Sequence, residues 1–404
     1  MSATSSATPT SSRVSLNNAR LLDAAVSAAA DEGWTGLTFV GVAERAGLSR
    51  RPLQDRYPDA SHMMAALWQE RCEPALSAVL ERSLSVSGMD DSGSAQDLAK
   101  ELDAVIHPDD NLRAAAELLM IAQFDSHVRS VVTSTLGAKV AAWCQVSAPG
   151  GDHGKTRAAQ NAYVVSLALG LLVFGRRSAV SSMDFSEPLS VLHRALSNPS
   201  SPARLPQDDF AYLDRPVAFE TGDTTTDALL QSTLAAVGSE GFDRMSVDRI
   251  AVAAGSSQGA LFARYPSKLS LFIDATRRQN AVAARTNASA MGALESAHGG
   301  GVAEAVAIRE FQRPFRAHLR AITLEGIRVA WHDEDLRQAV IKELDDYELE
   351  AAANDSALYG SSSWFHFAFA IGVGVLILPI LHEPCWRLPY DVVTTPITRF
   401  QSGD

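Results

Sequence analysis

Residues 32–58 and 240–266 match at a constant displacement of 208. The first stretch reads EGWTGLTFVGVAERAGLSRRPLQDRYP and the second EGFDRMSVDRIAVAAGSSQGALFARYP. Ten positions are identical: Glu32/Glu240, Gly33/Gly241, Ala43/Ala251, Ala46/Ala254, Gly47/Gly255, Ser49/Ser257, Leu53/Leu261, Arg56/Arg264, Tyr57/Tyr265 and Pro58/Pro266. Apolar character persists at Trp34/Phe242, Leu37/Met245, Phe39/Val247 and Val42/Ile250. The same displacement carries Glu117, Ala122, Arg129 and Val132 onto Glu325, Ala330, Arg337 and Val340. Later, ALGL at 168–171 resembles AIGV at 370–373, at a displacement of 202. Solenoid periods are only roughly 20–50 residues, so a repeat of this size reads as a duplicated domain.

A chain of 404 residues has room for two cores. Pro199, Pro202, Pro206 and Pro216, with scattered Ser and Asp, mark a linker between the copies. Within each copy the apolar spacing is helical. Leu22, Ala25, Val26 and Ala29 fall on one face, and Leu230, Leu234 and Val237 echo them. No convincing alternating strand occurs; Val392–Thr395 is the one short stretch that reads as extended. Loops are expected at Gly88–Ser94, Pro149–Thr156 and Ser296–Gly301.

Composition narrows the chemistry. The net charge of −12 excludes a generally basic surface, so nucleic-acid binding must rest on local patches. Cys72, Cys144 and Cys385 are odd in number and widely spaced, which argues against a disulfide framework or a zinc site and suits a reducing cytoplasm. Residues 1–12 carry eight Ser or Thr and no charge, as a disordered tail does. Trp364–Leu381 is nearly all apolar; it reads as a buried core helix rather than a membrane span, since it contains His366 and Pro379.

The repeated 27-mer has a physical reading. Gly33 or Gly241 ends a first helix. Thr38 or Ser246 caps a second, which stops at Ala46 or Ala254. Gly47 or Gly255 makes a turn, and Ser49 or Ser257 caps a third short helix ending near Tyr57-Pro58 or Tyr265-Pro266. Ala43 and Ala46 are small where the helices cross, and Leu53 and Tyr57 pin the third helix to the core. Two short helices about a tight glycine turn form a helix-turn-helix.

With LLDAAVSAAADEGW, LTFVGVAERAGLSR and a closing L-x-x-R-Y-P in copy one, and MSVDRIAVAAG then SSQGALFARYPSK in copy two, the chain resembles the TetR (TetR/AcrR) family of transcriptional regulators. The resemblance implies an all-α fold of two tandem TetR-like units, each an N-terminal three-helix helix-turn-helix domain followed by a helical bundle. The expected layout is a tail at 1–15, a first head at 16–62 and bundle at 63–197, a linker at 198–224, a second head at 225–270 and bundle at 271–388, and a tail at 389–404. It also implies that the third helix of each head enters the major groove. The residues placed at DNA are then Thr38, Arg50, Arg51, Gln54, Arg56 and Tyr57 in copy one. In copy two they are Ser246, Gln258, Gly259, Phe262, Arg264, Tyr265 and Lys268. Arg reads guanine and Gln reads adenine, while Thr38, Ser246 and Lys268 suit phosphate.

Copy one departs from the family's Gly-Thr-Leu-Tyr with Arg51-Pro52-Leu53-Gln54, and copy two carries Glu220, Asp223 and Asp227 where basic residues are usual. Weak or absent binding by one copy is therefore an open alternative. The apolar helices Ala162–Phe174 and Trp364–Leu381, with Leu112–Val128 and Arg320–Leu336, are expected to pack across a pseudo-two-fold as in a family dimer.

The partners implied are double-stranded DNA on an asymmetric operator and a small-molecule effector in a bundle cavity. The single chain would act as an intramolecular pseudo-dimer, with further homodimerisation open, without a membrane or cofactor. The competing reading is a degenerate TetR-like protein that senses a ligand or binds a protein without DNA. Gly255-Ser256-Ser257-Gln258-Gly259 fits a G-x-S-x-G elbow, but it follows a helix rather than a strand, so no enzyme is expected. Gly372-Val373-Gly374 lacks phosphate-loop spacing, and His127, His332 and His366 show no metal-ligand pairing. His366 with Trp364, Phe365, Phe367 and Phe369 reads as core, with the lining of a ligand cavity as the alternative.

Overall fold

The computed structural model describes residues 9–87, 94–145, 151–174, 182–206, 217–353 and 361–401. Among these residues every regular element is a helix. The first half begins with α1 (Pro9–Glu32), α2 (Phe39–Arg45) and α3 (Arg51–Arg56). Then come α4 (Ala60–Leu67), a π-turn at Trp68–Cys72 and α5 (Glu73–Ser85). It continues through α6 (Ala95–Ile106), α7 (Asp110–Ile121), α8 (Ser126–Val132), α9 (Ala138–Trp143), α10 (Gly151–Phe174) and α11 (Ser186–Ser197).

The second half runs α12 (Thr224–Glu240), α13 (Val247–Ala253), α14 (Gln258–Phe262) and α15 (Lys268–His298). It ends with α16 (Gly300–Gln312), α17 (Ala317–Ala330), α18 (Glu334–Ala353), α19 (Ser362–Leu381) and α20 (Asp391–Gln401).

The centre of the molecule is the crossing of α10 and α19. A Cβ built on Gly170 would lie 1.7 Å from the carbonyl oxygen of Ala370, and one on Gly374 1.7 Å from that of Ser166. The two backbones therefore touch, which only glycine permits. Both helices are long and apolar enough to cross a membrane by composition, yet both lie largely buried in the protein. A helix apolar all round is a core helix when neighbours surround it. Each large side chain so buried contributes roughly 1.5–3 kcal/mol. The contacts are reciprocal: Gly170 meets Ala370 and Gly374 meets Ser166.

The two amino-terminal helix groups are held differently. The face Leu22, Ala25, Val26 and Ala29 of α1 joins the main core. Leu230, Leu234 and Val237 of α12 instead build a separate cluster with Leu261, Phe272 and Val329. The second group thus sits on α17 as a satellite of the main core.

Several sequence expectations change. Residues 9–15 belong to α1, so the expected tail shortens, and residues 1–8 lie outside the described residues. Leu112–Val128 is two helices: α7 ends at Ile121, and Asp125 caps α8 through the amides of His127 and Val128. Arg320–Leu336 likewise breaks before Asp333, whose carboxylate accepts from Leu336. The expected C-terminal tail is α20, with Val392, Val393 and Ile397 buried; an amphipathic face outweighs the β-branched run and Pro396. Of the expected loops, Gly151–Thr156 and Ser296–His298 are helical, and 88–93 and 149–150 lie outside the described residues. The linker docks in part: Ser200 donates to Val392 O at 3.0 Å and the Ala203 amide to Asp391 at 2.6 Å, while 207–216 is outside the described residues.

Candidate nucleic-acid interface

Each half presents a short helix, a glycine turn and another short helix. Gly47 and Gly255 both take φ +64, a left-handed conformation in which a side chain is strained. α2 and α13 begin and end 208 residues apart, but they are capped differently. Thr38 accepts from the Gly41 amide at 3.0 Å. Ser246 sits at the N-cap without a side-chain bond. Ser257 caps α14 through the Ala260 amide at 3.1 Å. Ser49 does not cap α3; Arg50 occupies that place, and Pro52 lies in the first turn, where its missing N–H costs nothing. Leu53 and Leu261 are buried beneath the two helices.

Arg50, Arg51 and Gln54 are exposed on α3. Arg51 pairs loosely with Asp55 at 3.7 Å, and both groups are largely in solvent. Arg56 is exposed too, but donates to Glu70 at 2.9 Å and lies over the Tyr57 ring. On α14, Gly259 and Phe262 are exposed. Gln258 donates to Asp248 at 2.7 Å. Arg264 donates to Asp223 at 2.7 Å and to Ala260 O at 2.9 Å. The Arg264 guanidinium holds the Asp223 carboxyl far below the usual carboxylate range, so the acid expected to repel phosphate is already paired.

Three expected contacts face the protein instead. Tyr57 is buried beneath α3. Tyr265 is also buried and donates to Asp274 at 2.8 Å; burial and that carboxylate push its phenol up. Lys268 is half-buried, donating to Phe242 O at 2.9 Å and lying over the Phe242 ring, and burial lowers its pKa. A lysine committed to internal carbonyls has little left for phosphate. Arg20 of α1 donates to Ala46 O at 2.9 Å and so closes the C-terminus of α2.

The heads meet at a buried charged seam that the sequence pattern did not expose. The Trp34 amide donates to Glu117 Oε1 at 2.9 Å, and the Phe242 amide to Glu325 Oε1 at 2.6 Å. Both bonds span 83 positions. Arg328 lies between the two carboxylates, reaching Glu117 at 2.7 Å, Glu325 at 2.8 Å and Asp243 at 2.6 Å. Burial pushes the Glu117 carboxyl up, but Arg328 and His332 outweigh it and hold it below its ordinary value. Gly33 and Gly241, at the ends of the first helices, each lie against the other half. A Cβ on Gly33 would strike His332 at 2.6 Å, and one on Gly241 would meet Phe124 at 3.1 Å. Arg244 pairs with Asp125 at 2.7 Å and lies over Trp34. The identity of Glu117 with Glu325 was visible in the repeat; their shared partner was not.

The described residues hold no cluster of His, Cys, Asp and Glu able to bind a metal, and all three cysteines are buried and unpaired. No curated protein matches the chain. Residues 229–275, which span α12 to the start of α15, match the family described as bacterial regulatory proteins, tetR family, and this supports the TetR family of DNA-binding transcription regulators for the chain.

Proposed function

We propose that the chain is a sequence-specific DNA-binding regulator, a small-molecule-responsive repressor, made of two tandem TetR-like units that act as a pseudo-dimer in the cytoplasm. The observation that carries the DNA role is the family match across α12–α15, the segment that presents α14 to solvent. The paired bonds of Glu117 and Glu325, the reciprocal crossing at Gly170 and Gly374, and the glycine turns at Gly47 and Gly255 support the tandem arrangement. α3 and α14 are the proposed recognition helices, with Arg50, Arg51 and Gln54 as reading residues in the first head and Gln258, Gly259, Phe262 and Arg264 in the second. Arg56 and Arg264 must leave Glu70 and Asp223 to reach DNA. Thr38 and Ser246 start helices at the phosphate-facing edge, where amide groups attract anions.

The heads differ in residues and in how they are anchored, so the operator has unlike halves. Effector binding in the second bundle would shift the satellite head against the first, and heads that must meet half-sites about 34–36 Å apart lose simultaneous docking through a small shift.

Selection from a random DNA pool, followed by mobility shift at physiological salt, tests this. An asymmetric site is expected. Replacing Arg50 and Arg51 by Ala should weaken it by about 1–3 kcal/mol per lost base contact. A protein that binds no sequence above random DNA is instead a ligand-sensing or protein-binding module on the same fold.

A further inference from the structure

The second half holds a cavity of about 420 Å³ between α15, α17, α18 and α19. Its wall is largely apolar, with Phe311, Ile322, Tyr347, Phe365 and Phe369 among the lining residues. Gly326 of α17 and Gly372 of α19 also line it, each inside a helix, and a Cβ on either would meet nothing within 4 Å. Glycine inside a helix costs stability relative to alanine. At Gly170 and Gly374 close backbone packing explains that cost, but no such contact exists at Gly326 or Gly372. What these two glycines supply is open space.

Arg320 stands on the cavity wall and is nine-tenths buried. Its Nη1 donates to Phe311 O at 3.1 Å and Arg313 O at 2.6 Å. Among the described residues no carboxylate forms an ion pair with it. Arg316, also buried and on the same wall, adds a second positive charge. Burial lowers the pKa of Arg320; Arg316 adds to this, and Cys385 and Glu383 oppose it. A buried cation without a carboxylate in contact is unfavourable, and an anion entering the cavity relieves it. Glu343 is the acid on the wall; burial pushes its carboxyl up, which favours the neutral form and weakens repulsion of such an anion.

We propose that this cavity binds an amphipathic carboxylate, its apolar body against α17 and α19 and its anionic group at Arg320 and Arg316. The assignment rests on the reading of the protein as small-molecule-responsive and names the chemistry of that effector.

The test is calorimetric titration of the full chain, without DNA, using decanoate, decanol and decylamine. Decanoate is expected to bind at least about tenfold tighter than decanol, with decylamine weakest. Arg320→Gln should bring decanoate down to the level of decanol and leave decanol unchanged, while Arg320→Lys retains part of the preference. Gly326→Leu and Gly372→Leu, which fill the space without a backbone clash, should abolish binding of both in a protein that keeps its helical spectrum. Equal binding of all three probes, preference for decylamine, decanoate binding undiminished in Gly326→Leu, or no binding by any probe each overturns the assignment. The titration contains no DNA, so failure of the protein to bind DNA in a separate mobility shift counts against the regulator reading and not against the carboxylate site.

Discussion

Arg328 donates to Glu117 at 2.7 Å, joining residues 211 positions apart at the seam between the two halves. The position 208 residues before Arg328 is Met120, so this one cation serves both Glu117 and Glu325. Removing it leaves the buried carboxylates of Glu117 and Glu325 without their shared cation, with only the Trp34 and Phe242 amides and His332 beside them. Arg328→Met is expected to destabilise the protein by roughly 3–5 kcal/mol in urea unfolding, since an orphaned buried charge costs about that much. A small effect would show that the seam is solvated.

The same network sets an acid limit. The folded Glu117 carboxyl lies below its ordinary value, so its contribution is present above the unfolded value of about 4.3 and is lost as pH falls through the folded value. Unfolding midpoints should therefore drop below about pH 4, and Glu117→Gln should flatten that part of the profile.

Glu304 has the opposite sign. Burial raises its carboxyl to about 7, although Tyr163 donates to it at 3.2 Å. Its contribution is complete below the unfolded value of about 4.3 and is lost as pH rises through about 7. Glu304→Gln should gain stability relative to the parent between pH 5 and pH 8, measured by thermal unfolding; a constant difference across that range contradicts the shift.

The helix glycines divide into two kinds. Gly170→Ala or Gly374→Ala drives a Cβ into a carbonyl at 1.7 Å and should cost at least about 1–3 kcal/mol. Gly326→Ala meets open space and should gain up to about 1 kcal/mol. Urea midpoints for the three variants settle the ordering.

Asp223 competes for Arg264 on the proposed DNA face. Asp223→Asn should raise affinity for the selected operator and steepen the salt dependence, because a freed guanidinium adds one phosphate or base contact. Unchanged affinity and slope in a mobility-shift series across salt would remove Arg264 from the interface.

Cys72, Cys144 and Cys385 should resist alkylation in the native protein and react together on unfolding. All are buried, and burial pushes the Cys144 thiol up to about 12. Rapid labelling of the folded chain would contradict this placement.

The local pattern was legible in the sequence wherever a residue acts on its near neighbours. Gly33, Gly47, Gly241 and Gly255 marked backbone turns and take positive φ; Thr38 and Ser257 marked caps; Leu22, Ala25, Val26 and Ala29 marked a buried face. These effects depend on a few consecutive residues, which the order of the chain specifies directly. Only the tertiary structure decided which charges were free. Lys268 and Arg264 look alike as exposed cations in a sequence, yet folding turns Lys268 onto the carbonyls of its own head and sets Arg264 against an acid 41 residues away. It likewise decided that α20 is a core helix rather than a tail, and that one arginine holds Glu117 and Glu325 together. Long-range burial and pairing follow from how helices cross, and that geometry belongs to the folded chain.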